Sequence, residues 1–227
     1  MLIRASAFSA LLLAACGGAT VSSSPTPTDT AAAVTPAASA TAHASSGSAW
    51  TVTSASKATV KVREQLVSVS LPSDAVLTAS GAAGTFELNA DGTFSSDSKI
   101  TFDLTTLSSD QRDRDNFVKQ DTLGVRQFPT ATFVPTKVTG LTLPMPASGS
   151  FTFTLAGNLT LHGTTKDVTF DVTAKRDGSS LTATATNNPT WKFADFGMRA
   201  PSVPFRVVSV VDEIRLSVDL VATGPTS

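Results

Sequence analysis

Residues 151–161 read FTFTLAGNLTL. Phe151, Phe153, Leu155, Leu159 and Leu161 fall on one parity, and Thr152, Thr154, Asn158 and Thr160 on the other. A helix repeats its faces every 3.6 residues, so a run of period two this long specifies a strand with one buried face. Gly157 sits on the apolar parity and predicts a bend or bulge there. After a turn at His162-Gly163-Thr164 the alternation resumes: Val168, Phe170, Val172 and Ala174 oppose Thr169, Asp171 and Thr173. Arg176-Asp177-Gly178 carries a tight-turn signal, and Leu181 to Thr186 follows as another strand. Near the C-terminus Ile214, Leu216, Val218 and Leu220 alternate with Arg215, Ser217 and Asp219. Shorter strands are marked earlier by Val60 with Val62, by Phe86 with Leu88, by Ile100, Phe102 and Leu104, and by Phe133 within Thr130 to Val138.

These segments amount to about eight strands at spacings typical of antiparallel connections. One short helix is predicted over Ser109–Lys119, opened by Ser109 and Asp110 as capping residues. The fold class is therefore all-β. An eight-stranded antiparallel barrel is expected, because closure leaves no unpaired edge, and a two-sheet sandwich is the alternative. An eight-stranded barrel is wide enough either to be filled by its own side chains or to hold one small ligand. The inward parity names the lining candidates: Phe102, Phe133, Phe153, Leu155, Phe170, Val172, Leu216 and Val218. Trp191 and Phe193 alternate on what reads as a late strand and are expected to close one end or plug the barrel.

Aromatic residues show where the domain begins. None occurs between Phe8 and Trp50, whereas twelve Phe and both Trp lie from Trp50 onward. Residues 50–227 are read as the barrel domain. Residues 1–15 resemble a secretory signal: Arg4 precedes a short apolar stretch, and about ten apolar residues are too few to span a bilayer, which takes roughly 20. Leu13-Ala14-Ala15-Cys16-Gly17 then resembles the bacterial lipobox. In proteins with that motif the Cys thiol takes up diacylglycerol, the chain is cut just before the Cys, and the new amino group is acylated. Cys16, the only Cys in the chain, is the expected lipidation site. Between them lies a tether, residues 16–49. From 17 to 49, 29 of 33 residues are Ala, Ser, Thr, Pro or Gly, and Asp29 is the one charge. Such a composition cannot bury enough surface to offset chain entropy, so a disordered linker is expected, with a random-coil span of about 30 Å. His43 reads as a solvated residue of this linker.

Composition excludes several function classes. A net charge of −1 provides no field for nucleic acid, and a single Cys rules out an intrachain disulfide, a CxxC redox site and a Cys-rich zinc site. Neither a metal nor a cofactor is expected. The carboxylates are scattered singly, without a calcium-loop pattern. His162 is the only His in the domain. Asp167 and several Ser could complete a hydrolytic set, but no G-x-S-x-G elbow exists, so a turn position at the hairpin is the expected role. The run Arg112-Asp113-Arg114-Asp115 reads either as surface salt bridges or as a polar rim at a cavity mouth.

A family resemblance joins these pieces. The segment Ser109 to Phe117 with its Arg-Asp run, Phe128-Pro129-Thr130-Ala131-Thr132-Phe133, Gly157 to Val168 with Leu161-His162-Gly163-Thr164-Thr165-Lys166, and Asp195-Phe196-Gly197-Met198 with Pro201 occur in order. Together, over about residues 50–222, they resemble the YceI-like, lipid- and polyisoprenoid-binding family. Asp167 stands where that family commonly has Pro. The resemblance implies an extended lipocalin-like barrel with a long apolar tunnel for an isoprenoid or another fatty amphiphile. A non-enzymatic, exported lipoprotein is the resulting expectation, anchored through Cys16 to the outer face of the cytoplasmic membrane or to the outer membrane. A homodimer is left open as a further partner. The rival readings are a structural or adhesive module with a filled core, and an extracytoplasmic enzyme centred on His162.

Overall fold

The computed structural model describes residues 48–68, 70–202 and 206–224. Cys16, His43 and the expected signal and tether lie outside the described residues. Eleven strand segments form one antiparallel sheet, and they fall onto eight barrel positions because three long strands are each broken once. The first position is β1 (Ser48–Val52) followed by β2 (Lys57–Leu66), the second β3 (Ser73–Ala79) followed by β4 (Ala83–Leu88). Then come β5 (Lys99–Asp103), β6 (Thr130–Thr139), β7 (Ser148–Leu161), β8 (Thr164–Asp177) and β9 (Ser180–Asn187). The last position is β10 (Val207–Val210) with β11 (Arg215–Thr223).

The ring runs β1–β4–β5–β6–β7–β8–β9–β11 and closes where β11 meets β1 through Thr51↔Thr223 and Val52↔Ala222. The same β11 continues along β2 from Asp219↔Lys57 to Arg215↔Lys61. Between the two pairings the first strand carries two more residues than its partner and turns a corner at 53–56. Ser56, fully buried, stands in for the interrupted ladder: its Oγ accepts from Val221 N at 2.9 Å and donates to Val221 O at 3.2 Å. The barrel expected from the alternation is therefore the one formed, and the sandwich is not.

The strictest pattern gave the strictest strand. Along β8, Val168, Phe170, Val172 and Ala174 are buried, while Lys166, Asp167, Asp171, Thr173 and Lys175 are exposed. The irregularity foreseen at Gly157 lies on the neighbouring strand: the β6–β7 register slips between Pro135 and Lys137, and Gly157 pairs with Pro135. Gly157 is needed for a different reason. A Cβ there would stand 2.5 Å from the Phe133 ring and 2.6 Å from Val134 O.

Two expectations are corrected. The helix α1 covers Arg112–Phe117 and runs into a π-turn over Val118–Thr122. Ser109 does not cap it; its N–H and O–H both donate to Asp115 Oδ1, at 2.7 and 2.6 Å, which holds the preceding loop against the helix. Trp191 and Phe193 are not on a strand. Trp191 makes a single bridge to Ile214, and Phe193 opens a 3-10 turn, Phe193–Phe196, whose Asp195 carboxylate accepts from Lys192 N. That local bond competes with extended pairing. On the outer face, Arg215 and then Arg63 hold the Asp74 carboxyl below the usual range, and the Thr93 hydroxyl does the same for Asp91.

Gly157→Ala is expected to lower stability by about 1–3 kcal/mol, the usual range for overpacking. Urea unfolding should show it as a lower midpoint at unchanged slope. Adding Phe133→Leu should restore only part of the loss, since Val134 O still crowds the new methyl.

Candidate functional site

The strands enclose a hollow. A cavity of about 610 Å³ runs through the barrel. All eight inward residues named from the sequence line it: Phe102, Phe133, Phe153, Leu155, Phe170, Val172, Leu216 and Val218. The space itself comes from small neighbours. On β9 the inward side chains after Leu181 are Ala183 and Ala185, and Ala58, Ala75, Ala79, Ala131 and Ala174 line the wall elsewhere. β9 sets Ala185 in the wall between Val172 and Val218 of the neighbouring strands, and these small side chains fill little of the interior. A filled core, the rival expectation, is not what this packing produces.

The two ends differ. At the end that carries the β8–β9 hairpin, Trp50 is 1% exposed and stacks on Phe86 with ring centroids 6.4 Å apart. The Arg176 guanidinium lies 5.1 Å over the Trp50 ring. It also donates to Met145 O at 2.9 Å and to Gly178 O at 3.0 Å, tying the β6–β7 loop to the β8–β9 hairpin. Gly224 passes so close that a Cβ would meet the Trp50 ring at 2.8 Å. This end is a packed seal.

The opposite end is covered by α1, the π-turn and the 3-10 turn. Trp191 packs edge-on to Phe170 at 5.7 Å and to Phe196 at 5.4 Å, and Phe193 and Met198 are buried beside it. Trp191 and Phe193 thus form part of a cap, as one of the sequence expectations had it. His162 belongs to the same cap. It adopts a φ of +50° in the two-residue β7–β8 turn, its Nδ1 lies 3.2 Å from Phe196 O, and its ring stands edge-on to Phe128 at 5.0 Å. These contacts make it the clamp of the hairpin to the 3-10 turn.

The charged lining residues gather at this end: Glu64 of β2, Asp113 and Arg114 of α1, and Arg206. Asp113 and Arg206 are largely exposed and pair at 2.9 Å, so this end of the cavity lies at the surface. Deeper in, Arg114 Nη2 donates to Glu64 Oε1 at 2.6 Å, with side chains only 15% and 8% exposed. Arg114 also pairs with the exposed Asp110. The Arg-Asp run therefore splits. Arg114 reaches inward, Asp113 forms the rim, Asp115 braces the loop, and Arg112 is exposed. Glu64 was not foreseen as a site residue. Its signal was positional: it continues the inward parity of Val60 and Val62. Among the described residues no cluster of His, Cys, Asp or Glu could hold a metal ion, and no helix is long and apolar enough to cross a membrane.

A closed antiparallel barrel with a hollow apolar interior, one sealed end and one polar mouth defines the lipocalin-like class. The chain matches the YceI-like domain over residues 34–222, and it belongs to that family. A UPF0312 protein of Pseudomonas putida strain F1 is 36% identical over 135 residues, 52% of this chain and 64% of that protein. A UPF0312 protein of Pseudomonas fluorescens SBW25 is 34% identical over 140 residues, 56% and 69% of the two chains. The chain thus spans slightly less than two thirds of the P. putida relative it matches. Among solved structures, a polyisoprenoid binding domain from Saccharophagus degradans superposes with a TM-score of 0.57 at 12% identity, over 78% of this chain and 98% of that one. Burkholderia cenocepacia BcnA gives a TM-score of 0.55 at 19% identity, over 76% and 99%. At these identities the shared feature is the fold.

Arg176→Met is expected to unseat the seal. It removes charge-assisted hydrogen bonds to backbone carbonyls, each worth about 1.5–3 kcal/mol. In a Trp191→Phe background, acrylamide quenching of Trp50 should rise measurably.

Proposed function

We propose that this protein is an exported lipoprotein that binds a long-chain amphiphile, isoprenoid or fatty, inside its barrel for sequestration or transport. The observation that carries the reading is the cavity of about 610 Å³, apolar along its walls and polar at one end only. Its volume lies within the range of small-molecule sites. Removing an apolar chain from water drives binding by about 25 cal/mol per Å² buried, and no catalysis is needed. The polyisoprenoid-binding description of the S. degradans domain with the same fold supports an isoprenoid-like occupant. His162 is committed to the hairpin clamp, and the reading assigns it no chemistry. The lipobox supplies the anchor: Cys16 carries the lipid, and the domain works outside the cytoplasmic membrane.

Solvent extracts of the full chain purified from its own host, analysed by mass spectrometry, should contain a stoichiometric amphiphile. Ala185→Phe should fill the centre of the cavity and weaken binding of added isoprenoids at least about tenfold, while thermal stability stays level or rises as the void is filled. Unchanged binding by Ala185→Phe, together with empty extracts, would remove the proposal.

The anchor is tested separately. Cys16→Ser should move the protein from the membrane fraction to the soluble fraction, and metabolic labelling with an alkyne fatty acid should mark the wild type only. A wild type that is soluble and unlabelled would overturn the anchor and leave the cavity reading standing.

A further inference from the structure

The mouth holds an ionic arrangement that an apolar tunnel does not require. Burying a carboxylate is costly, and strands are normally closed with apolar or neutral groups. Yet Glu64 follows Val60 and Val62 on the inward face of β2, is 7% exposed, and lines the cavity. One of its oxygens, Oε1, accepts from Arg114. Among the described residues, Oε2 accepts no hydrogen bond. Arg114 in turn is held by two carboxylates, Glu64 and Asp110, and by the Ser109 hydroxyl. Arg206, the other guanidinium on the lining, is paired with Asp113. The lining at the mouth thus carries two carboxylates, Glu64 and Asp113, and two guanidinium groups, each of which is already paired with a carboxylate.

An amphiphile seated in this barrel has one orientation. Its chain occupies the apolar interior towards the Trp50 seal, because a polar head there would be left without partners. Its head group is then level with Glu64. From this, and resting on the amphiphile-binding reading above, we propose that Glu64 selects the head group: the site takes neutral or cationic hydrogen-bond donors, such as alcohols and amines, and discriminates against phosphates and carboxylates. The free oxygen of Glu64 accepts a hydrogen bond from an O–H or N–H head. An anionic head brings only acceptors to an acceptor and adds a like charge in a poorly solvated place. Arg114 holds Glu64 in position through Nη2, and its Nη1 is taken up by Asp110 and Ser109.

The test is displacement of the apolar dye N-phenyl-1-naphthylamine from the full-length protein by three competitors sharing one C20 chain: geranylgeraniol, geranylgeranylamine and geranylgeranyl monophosphate, each kept below its aggregation threshold. The alcohol and the amine should displace the dye at concentrations at least about tenfold lower than the monophosphate. Glu64→Gln keeps an acceptor but removes the charge. It should leave the alcohol nearly unchanged and bring the monophosphate to within about threefold of it. A wild type that binds the monophosphate as well as the alcohol overturns the assignment, whatever the variant does. So does a folded Glu64→Gln protein with the wild-type ratio. If no chain displaces the dye, the amphiphile-binding reading itself falls. If all three displace it equally, that reading stands and only head-group selection is lost.

Discussion

The hollow interior depends on closure of the hydrogen-bonded ring. Eight strands can surround empty apolar space only if the hydrogen-bonded ring is closed, since an open sheet with these inward faces would fold onto itself to bury them. Here the first barrel position meets the last through Thr51↔Thr223 and Val52↔Ala222 of β1 and β11, and the seam continues along β2 with β11 and β10. The seam is reinforced from both sides. Thr53 N donates to Val221 O at 2.8 Å, the buried Ser56 hydroxyl exchanges two hydrogen bonds with Val221, and Gly224 packs flat against Trp50. Ser56 has a further consequence. By letting the first strand bend without losing contact with β11, it allows β2 to follow β11 towards the mouth.

Strand order and facing were legible wherever the alternation was unbroken. β8 and β9 could be read residue by residue because each turns one face to the barrel and exposes the other to water, whereas in β7 and β11 most residues of both faces are half-buried. β1, β3 and β10 were not foreseen. In β3 the inward residues include two alanines, Ala75 and Ala79, and the outward Val76 is 40% exposed, so the contrast between faces nearly vanishes. In β10 a register slip between Val207 and Ser209 breaks the period. The helix was misjudged at its start because Ser109 and Asp110 offer good caps, yet Ser109 is drawn instead to the Asp115 side chain. Trp191 and Phe193 imitated a strand pair, but the Asp195 bond to Lys192 fixed a turn.

The candidate site was legible in its walls and not in its volume. Large apolar residues on the inward parity announce a core, and the eight named from the sequence all line the cavity. Whether such a core is filled depends on what stands opposite, and that is a matter of register between strands. Ala183 and Ala185 appear in the sequence as unremarkable members of a Thr-Ala alternation. The cavity lining shows that these small residues face the interior, with Val172 and Val218 beside Ala185 in the wall. Glu64 was obscured differently. Flanked by Lys61, Arg63 and Gln65, it looks like part of a solvated strand, although its parity is that of Val60 and Val62.

The ends of the barrel convert this geometry into a direction. At the sealed end a single guanidinium, Arg176, satisfies backbone carbonyls of two loops and covers the one tryptophan that closes the floor. Among the described residues no inward polar group is left there to receive a head group. At the mouth the polar groups are present in excess, with Glu64 only half satisfied by Arg114. A molecule with one apolar and one polar end therefore has a single arrangement in which all its groups find partners. Depth sets the weight of each contact. The exposed Asp113–Arg206 pair is worth little, because water competes for both partners. Glu64 is only 7% exposed, so a group that reaches its second oxygen meets it with less competition from water.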